Sequence, residues 1–461
     1  MVSYLNKQTI QNKETQMQFN MNMSLFCCLH EYSVSLDELA IKLKELFHNE
    51  GYIGILDLIL QLYQEYLIMS SLDENQHQWC SCETPVYILN GSYPRKLKTS
   101  LGKLNMEWRR LECTCCKANI VPLKLGLGIK KHQYKSNELE KLIVEAAAKD
   151  SYRSASQSLD AIGLIKVSSS TAWRWVIQTD CDEIDSSSRV NSTGTPMQII
   201  ADGTKFKGRP DSGKAAKGDL KAVIGVDSQG DVFPMGAWSG ESWSDVRSSI
   251  DKKIECFPND SILVADGEVA ITRAFEDIID DQQRCHWHIN RDMYHAMWQD
   301  GGTVKDSKPV RNALRALLAI ELPEGDFQEV SEQEKDDIEQ QMEQTEAMMT
   351  KLIVHLESKG FTVASNYLFN AKRSMFGYIR RWLKLGIICP RASSLIERVM
   401  RVLARRIKKI AYNWSDKGVG KIARIILKKF IDKKQWDQFW HDKLKLDGSV
   451  IFALSNIKES V

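Results

Sequence analysis

Two segments of the chain combine aliphatic residues typical of a buried strand with the same ending, Ala-Asp-Gly. The first is "MQIIADG", which contains Asp202, and the second is "SILVADG", which contains Asp266. Because a carboxylate after an apolar run is costly in a core, each aspartate is expected where its strand ends. A single Asp-Gly pair is more simply explained as a turn. Two of them at matched strand ends favour a shared site.

The segments around this pair follow the order three strands, helix, strand, helix, strand. Strand patterns occur in "MQIIADG", "KAVIGVD", "DVFPMGAWSG", "SILVADGE" and "QQRCHWH", and "WSDVRSSIDKKI" and "VAITRAFEDII" predict the helices. Three meandering strands followed by crossover helices predict a mixed sheet in which the fourth strand lies beside the first. This order resembles the ribonuclease H fold. The predicted fold class is therefore α/β, with a ribonuclease H-like mixed sheet.

The two aspartates predict a divalent cation site. At the carboxyl ends of neighbouring parallel strands, Asp202 and Asp266 would converge on one sheet edge and share a hard cation such as Mg²⁺. Phosphoryl chemistry assisted by metals favours a third carboxylate, for which Glu397 is the best candidate. Glu268 and Glu276 are weaker candidates for the same role.

The stretch "ASSLIERVMRVLARRIKKIAYNWSDKG" predicts a helix that carries Glu397 opposite its apolar face. Basic residues follow on the same side at spacings of four, four and three, namely Arg401, Arg405 and Lys408. Packed on the sheet, this helix would offer a carboxylate to the metals and cations to a phosphate backbone. The simpler alternative is a surface glutamate paired with Arg401.

Charge is strongly segregated along the chain although the net charge is only +2. Residues 95–135 contain eleven lysines and arginines against two acids, and residues 405–434 repeat this imbalance. Residues 321–346 contain eleven acids and one lysine. Basic segments of this kind indicate a nucleic-acid partner, although solvated helices that simply carry their charges explain any one segment equally well.

Cysteine spacing predicts a structural zinc site. Eleven cysteines, an odd number, argue against a disulfide framework. Two pairs separated by a short β-like segment resemble a zinc ribbon, with the predicted ligands Cys80, Cys82, Cys113 and Cys116. Cys115 competes with Cys116 for the last position, and buried free thiols remain the alternative.

Residues 136–180 predict three short helices that resemble a helix-turn-helix. The third helix begins at "SSSTAWR" and would present Arg174 to DNA, whereas the alternative is a helical hairpin that links domains. Further on, residues 203–219 are expected to form a basic loop that includes Lys205 and Lys207. Such a loop would either follow a DNA strand or remain solvated.

The stretch "RCHWHINRDMYHAMWQDGG" brings four possible zinc donors close together in sequence, namely Cys285, His286, His288 and His295. The same stretch carries Trp287 and Trp298. These rings would either stack on a flipped base or, more commonly for tryptophan, pack inside the inserted helices.

Four motifs in order resemble the DDE transposases of insertion sequences, in the Mutator-like group. They are "ADG" at Asp202, "ADGE" at Asp266, "RCHWH", and the helix that carries Glu397. The resemblance implies a helical insertion between the second aspartate and the glutamate, and 397 − 266 = 131 residues separate them here. It also implies that a CxxH signature, Cys285 and His288, shapes the active centre instead of holding a permanent zinc ion.

The implied activity is cleavage and strand transfer of double-stranded DNA at the ends of an insertion sequence. The resemblance implies Mg²⁺ or Mn²⁺ at Asp202, Asp266 and Glu397, and a homodimer or higher oligomer that holds two DNA ends. Two alternatives remain open at this stage. One is a nuclease of the same fold that never joins strands, and the other is a DNA-binding protein derived from a transposase.

Six segments are predicted along the chain. They are an N-terminal helical region (1–75), a zinc-ribbon-like domain (76–135), a helix-turn-helix (136–190), a first part of the catalytic core (195–302), an all-helical insertion (303–392), and a second core part with basic C-terminal helices (393–461). The polar N-terminus lacks a secretory signal pattern. No stretch qualifies as a membrane span, so the expected location is cytoplasmic, at the nucleoid if the source is prokaryotic.

Overall fold

The computed structural model describes residues 36–47, 51–73, 78–162, 165–187, 190, 197–208, 216–227, 229–410 and 414–445. The chain divides into two compact units. The first contains Met1–Pro94 and Met106–Leu127, and the second contains Arg95–Asn105 and Gly128–Val461.

The first unit combines helices with a small antiparallel sheet. Its elements are α1 (Leu36–Leu46), α2 (Tyr52–Leu72), β1 (Tyr87–Thr99), β2 (Gly102–Cys113), β3 (Asn119–Ile120) and α3 (Pro122–Gly126), and the tip of the β1-β2 hairpin belongs to the second unit. The sheet order is β1-β2-β3, and Leu111 pairs with Ile120. A small core of Ile68, Tyr87 and Leu111 lies beside the cysteines.

Three helices open the second unit, as predicted: α4 (Asn137–Lys149), α5 (Tyr152–Ala161) and α6 (Ser169–Gln178). Each begins at a serine whose hydroxyl accepts a backbone N–H of the first turn, namely Ser136, Ser151 and Ser168. The three helices pack on one another through fully buried side chains such as Ile143 and Trp175. The turn residue Gly163 lies outside the described residues.

A mixed five-stranded sheet follows, in the order β6-β5-β4-β7-β8. Its strands are β4 (Gln198–Gly208), β5 (Ala216–Val226), β6 (Val232–Ser239), β7 (Ile262–Ala265) and β8 (Asp281–Arg284), with α7 (Trp243–Asp251) and α8 (Val269–Phe275) as the crossover helices. The first three strands are antiparallel, whereas β7 and β8 run parallel to β4. The predicted return of the fourth strand beside the first is confirmed.

Both faces of the sheet are covered, which explains the nearly continuous aliphatic runs in β4 and β7. Ile199 and Ala201 face the core formed with α7 and α8. Ile200 faces the larger core formed with helices from later in the chain. The alternation along β4 follows the period of two that a strand imposes on its side chains.

The remaining helices are α9 (His286–Gln299), α10 (Val304–Leu317), α11 (Glu332–Ser358), α12 (Thr362–Lys372), α13 (Gly377–Leu385), α14 (Ser394–Ala404), α15 (Asp416–Ile431) and α16 (Lys433–Leu444). A 3₁₀ turn precedes α11, and a π-helical segment, Arg405–Ile410, continues α14. The acidic segment 321–346 lies partly on α11, and most side chains in that part of the helix are exposed. α14 and α15 contact the sheet at β4 and β6.

Two details of the predicted sheet are wrong. Asp202 does not end its strand, because β4 continues to Gly208 and Asp202 pairs with Ala222 of β5. The expected loop 203–219 is instead a hairpin of β4 and β5, with residues 209–215 outside the described part. Exposed Lys205, buried Phe206 and exposed Lys207 alternate as a half-buried strand requires, and this alternation overrides the turn tendency of Asp-Gly.

Among the described helices, none combines the length and the apolar character needed to cross a membrane.

Candidate functional site

Parallel pairing of β4 with β7 brings Asp202 and Asp266 to the same level of the sheet. The register pairs Ile200 with Val264, and each aspartate lies two residues after its member of that pair. At this level β7 ends, and the carbonyl of Ala265 accepts the N–H of Cys285. The parallel strands therefore deliver two acids and a cysteine to one region, as parallel sheets do at their carboxyl ends.

Asp202 has a strongly perturbed carboxyl group. Burial raises its pKa to about 6, although the N–H of Gly203, 2.7 Å from Oδ1, acts in the opposite direction. The charges of Asp266 and Glu397 raise this pKa further. A carboxyl group that is partly desolvated and close to two like charges is a candidate functional group. The same interaction favours Glu397 over Glu268 and Glu276, which are both exposed.

Glu397 lies in the first turn of α14, where the positive end of the helix dipole favours an acid. Its Oε1 accepts a hydrogen bond from the hydroxyl of Ser393 at 3.2 Å. Buried Ile396, Val399 and Leu403 fix the opposite face of the helix in the core. The predicted amphipathic arrangement of this helix is confirmed, and Glu397 is half-buried at its edge.

Cys285 and His288 lie beside Glu397 at the start of α9. Cys285 is the N-cap residue, and its Sγ is 3.9 Å from Oε1 of Glu397 and accepts the N–H of Ser393 at 3.3 Å. Burial alone would raise the pKa of Cys285, but its interactions with His288 and Ser393 lower it. Burial alone would lower the pKa of His288, but Cys285 raises it.

Only two of the four closely spaced donors in this stretch meet in space. His286 is neutral, because burial lowers its pKa to about 4, and its Nε2 lies 2.7 Å from the carbonyl oxygen of Met375. His295 is exposed on the surface of α9. Cys285 and His288 are three residues apart in the first turn of α9, so their side chains lie on the same side of the helix. His286 and His295 do not belong to this group.

Within the described residues, two groups of three or more metal-ligating side chains come within 4.8 Å of one another. One consists of Cys80, Cys82, Cys113 and Cys116, and the other of Cys285, His288 and Glu397. Asp202 and Asp266 interact with the second group through their charges but do not belong to it. Sequence reasoning identified every member of both groups, but it did not join Glu397 to the Cys-His pair.

The donors of the acidic region fit a hard divalent cation. In the described part of the chain, Asp202 and Asp266 accept hydrogen bonds from backbone N–H groups, at Gly203 and Glu268, and form no ion pair with a lysine or arginine. Carboxylates left with this much negative charge suit Mg²⁺ or Mn²⁺, which retain water and need few protein ligands. We name Asp202, Asp266 and Glu397 the acidic cluster.

The cysteine cluster of the first unit has the geometry of a closed zinc site. Sγ of Cys113 lies 3.7 Å from that of Cys80 and 4.0 Å from that of Cys82. The N–H of Cys116 lowers the pKa of Cys113 to about 6, which favours the thiolate that zinc requires. Cys115 points away, toward the carbonyl of Thr84. The group is compatible with structural zinc.

The predicted basic residues lie on exposed surfaces. Lys408 donates to the hydroxyl of Thr204, two residues after Asp202, and is therefore close to the acidic cluster. The other predicted DNA-contacting side chains are exposed: Arg174, Lys205, Lys207, Arg401 and Arg405. Arg174 contacts the backbone and hydroxyl of its own helix, at Ser170 and Thr171. In the described part of the chain, Glu397 forms no ion pair with Arg401 and its Oε1 instead accepts from Ser393, so the simpler explanation of a paired surface glutamate does not apply.

A cavity lined by arginines lies beside the start of α9, and the sequence patterns did not predict it. Its volume is about 450 Å³, and it is lined by Trp287, Arg291, Arg311, Arg315 and Arg391 among others. The guanidinium of Arg291 lies 5.0 Å from the centre of the Trp287 ring. Trp287 and Trp298 are 53% and 66% exposed, so the expectation of buried tryptophans is wrong. The spacing of Arg311 and Arg315 along one helix was the available signal.

No protein-family model matches the chain, and no curated protein is similar enough to count as a match.

Proposed function

We propose that the protein is a DDE transposase that cleaves and joins DNA at the ends of an insertion sequence in the presence of Mg²⁺ or Mn²⁺. The observation that carries this proposal is the parallel register of β4 and β7, which brings Asp202 and Asp266 to one level of the sheet, with Glu397 on a helix that contacts β4. The pKa of Asp202, raised to about 6 by burial and then by the charges of Asp266 and Glu397, supports it. Two acids from distant parts of the chain therefore influence the carboxyl group of Asp202. Such an arrangement suits a reaction in which cations assemble with the substrate.

The sheet supports a ribonuclease H-like core for this chemistry. Its order, with a central strand antiparallel to one neighbour and parallel to the other, is the order expected of that fold. Asp202 comes from the central strand, Asp266 from the parallel neighbour, and Glu397 from a helix that contacts β4. The helices α10 to α13 correspond to the inserted helical segment.

In this proposal Asp202, Asp266 and Glu397 hold the cations through their carboxylate oxygens. When bound, a pair of Mg²⁺ ions activates the attacking oxygen and stabilises the leaving oxygen of the phosphodiester. Ser393 orients Glu397 through its hydroxyl, and Lys408 offers a cation to the DNA backbone beside the cluster. The arginines around Trp287 provide a surface on which an unpaired base could stack between phosphates.

The regions before the core are proposed to recognise DNA. A zinc ion held by Cys80, Cys82, Cys113 and Cys116 would stabilise a ribbon. In this proposal the exposed N-terminal turn of α6, with Arg174, would serve as the recognition helix. Transposition joins two ends, so the active form is proposed to be a homodimer or a higher oligomer on double-stranded DNA, in the cytoplasm of a prokaryote.

The test is an assay of end cleavage and strand transfer with linear DNA that carries the inverted repeats flanking the gene. Asp202→Asn, Asp266→Asn and Glu397→Gln are each expected to slow both steps in Mg²⁺ by roughly 10³-fold, equivalent to about 4 kcal/mol of transition-state stabilisation. The matched controls are Glu268→Gln and Glu276→Gln, which remove a neighbouring exposed acid. These controls are expected to retain activity.

Each alternative outcome has a distinct meaning. Cleavage without joining would favour a nuclease, and specific binding of the repeats without cleavage would favour a DNA-binding protein. Full activity in any one of the three acid variants would remove that residue from the proposed mechanism.

A further inference from the structure

A compact set of three metal-ligating side chains includes two donor types that a Mg²⁺ site does not use. The set consists of Cys285, His288 and Glu397. Thiol, imidazole and carboxylate are the three ligand types that zinc prefers, whereas Mg²⁺ rarely takes sulfur or nitrogen. All three ligand atoms lie within 4.8 Å of one another. We propose that these three side chains bind a thiophilic divalent cation, Zn²⁺ in the first place, and that its binding withholds Glu397 from the acidic cluster.

The separation of the donors is close to that of a zinc tetrahedron. Bonds of about 2.3 Å to sulfur and about 2.1 Å to oxygen place those two ligands about 3.6 Å apart. Sγ of Cys285 and Oε1 of Glu397 are 3.9 Å apart. A shift of a few tenths of an ångström, within the freedom of the Glu397 side chain, would bring this sulfur and oxygen to the separation of two zinc ligands.

Burial makes the set more than a chance surface cluster. Cys285 is fully buried and His288 is 5% exposed. The Nδ1 atom of His288 is buried and has no hydrogen-bond partner among the described residues. A buried polar atom without a partner is costly, and its side chain belongs to the donor set. Three protein ligands would leave a fourth position for water.

The contacts around the set are those of a supported ligand. Sγ of Cys285 accepts the N–H of Ser393, and such outer contacts fix a thiolate without occupying the metal-facing lone pairs. Sγ of Cys285 and Oε1 of Glu397 are 3.9 Å apart, a separation at which a cation could contact both atoms. A zinc ion would neutralise both groups and draw them together.

The consequence for activity rests on the proposed function, whereas the zinc site does not. Oε1 of Glu397 lies 3.9 Å from Sγ of Cys285 and also accepts a hydrogen bond from the hydroxyl of Ser393. With zinc on this oxygen, the charge of Glu397 is neutralised and its position fixed on the Cys-His side. The acidic cluster would then be reduced to two aspartates, so zinc should inhibit reactions supported by Mg²⁺.

The binding test measures the zinc content of the full chain after equilibrium dialysis against micromolar zinc, by elemental analysis. Wild type is expected to hold one zinc more than Cys285→Ser. The matched control is Cys256→Ser, which removes an exposed cysteine outside both clusters and should keep the wild-type content. Equal zinc in wild type and Cys285→Ser would overturn the proposal.

A second variant guards against a folding defect in Cys285→Ser. Glu397→Gln keeps the shape of the side chain. In this variant, a titration followed by the visible Co²⁺ spectrum should show roughly 10-fold weaker binding at the Cys285 site, which has one thiolate. The Co²⁺ signal of the cysteine cluster should not change. Unchanged affinity at both sites in Glu397→Gln would show that Glu397 is not a ligand.

The activity test loads wild type with the additional zinc and measures cleavage in Mg²⁺. Cleavage is expected to fall toward the level of Glu397→Gln, roughly 10³-fold below that of wild type, because the acidic cluster loses the same ligand. It should recover when a zinc-selective chelator empties this site. Full cleavage with the site occupied would overturn the competition for Glu397. Failure to cleave by protein that holds zinc only at the cysteine cluster would count against the proposed function, while the zinc contents above would still decide whether the site at Cys285 exists.

Discussion

The cysteine cluster of the first unit and the acidic cluster of the second are both predicted cation sites, but they are built differently. The four cysteines lie within 37 residues of sequence (80 to 116) and come within ligand distance through one hairpin. The acids span 196 residues (202 to 397) and interact through their charges without forming a compact ligand group. The first is therefore a closed set of soft donors, and the second is an open set of hard donors.

This difference agrees with what each cation requires. A structural zinc site needs all of its ligands in place, since the ion contributes to folding. A catalytic Mg²⁺ site keeps several waters and completes itself with substrate oxygens. Carboxylates that remain slightly apart, with a raised pKa at Asp202, are therefore expected before cations and DNA bind.

The largest expected effect is the loss of folding in the first unit when one cysteine of its cluster is replaced. Cys116→Ser removes a zinc ligand, whereas Cys115→Ser removes its neighbour outside the cluster. Because zinc binding supplies roughly 10 kcal/mol in small zinc-dependent folds, the Cys116 variant should lose hydrogen-exchange protection in β2 and β3. The Cys115 variant should keep it. Similar protection in both variants would mean that this unit does not depend on zinc.

A smaller effect is expected at the acidic cluster. In the absence of divalent cations, Asp202 should destabilise the folded protein. The pKa of Asp202 is raised from 3.8 to about 6, so folding favours its protonated form. That stabilisation is complete below pH 4 and is lost as the pH rises through 6. At pH 7.5 without divalent cations, Asp202→Asn should be more stable by about 1–2 kcal/mol after allowance for solvent screening.

Urea denaturation at pH 7.5 and pH 4 measures this difference, which should vanish at the lower pH. The control is Asp336→Asn, an exposed residue of α11 whose substitution changes the net charge equally. Addition of Mg²⁺ at pH 7.5 should stabilise wild type more than Asp202→Asn. A wild type that is more stable than Asp202→Asn without cations would show that the acidic cluster carries no electrostatic strain.

The smallest effect concerns the orientation of Glu397. Ser393→Ala removes the hydroxyl that donates to Oε1, whereas Ser394→Ala removes an exposed hydroxyl one residue later. One hydrogen bond of about 1 kcal/mol corresponds to roughly a 5-fold lower cleavage rate. The loss should appear in kcat and diminish at high Mg²⁺, since excess cation compensates for a misplaced ligand. Equal rates in the two variants would show that the hydroxyl of Ser393 does not orient Glu397 for cleavage.

Sequence patterns predicted the parts of the fold that depend on local periodicity and chain order. The aliphatic runs before Asp202 and Asp266 identified the central parallel pair, and the apolar face of α14 identified Glu397. The continuation of β4 past Asp202 was not predicted. In that part of the sheet, Phe206 of β4 covers Gly218 of β5 so closely that a Cβ at Gly218 would lie 2.2 Å from the ring. That contact between strands explains the glycine, and no local signal reveals it.

The contact between Cys285 and Glu397 could not be predicted for a different reason. The residues are 112 positions apart, and their distance depends on how α14 packs against β4 and α9. Helix packing tolerates shifts of an ångström or more with little change in apolar pattern, whereas ligand geometry does not. Sequence therefore identified the donors of both sites and left their grouping open.

The most direct test of the central claim is anomalous diffraction from crystals of the full chain soaked in Mn²⁺. The account predicts manganese at the edge where β7 ends, bound by carboxylate oxygens of both Asp202 and Asp266, with Glu397 as a further ligand. Manganese absent from this edge at saturating concentration, with both aspartates ordered and unoccupied, would contradict it.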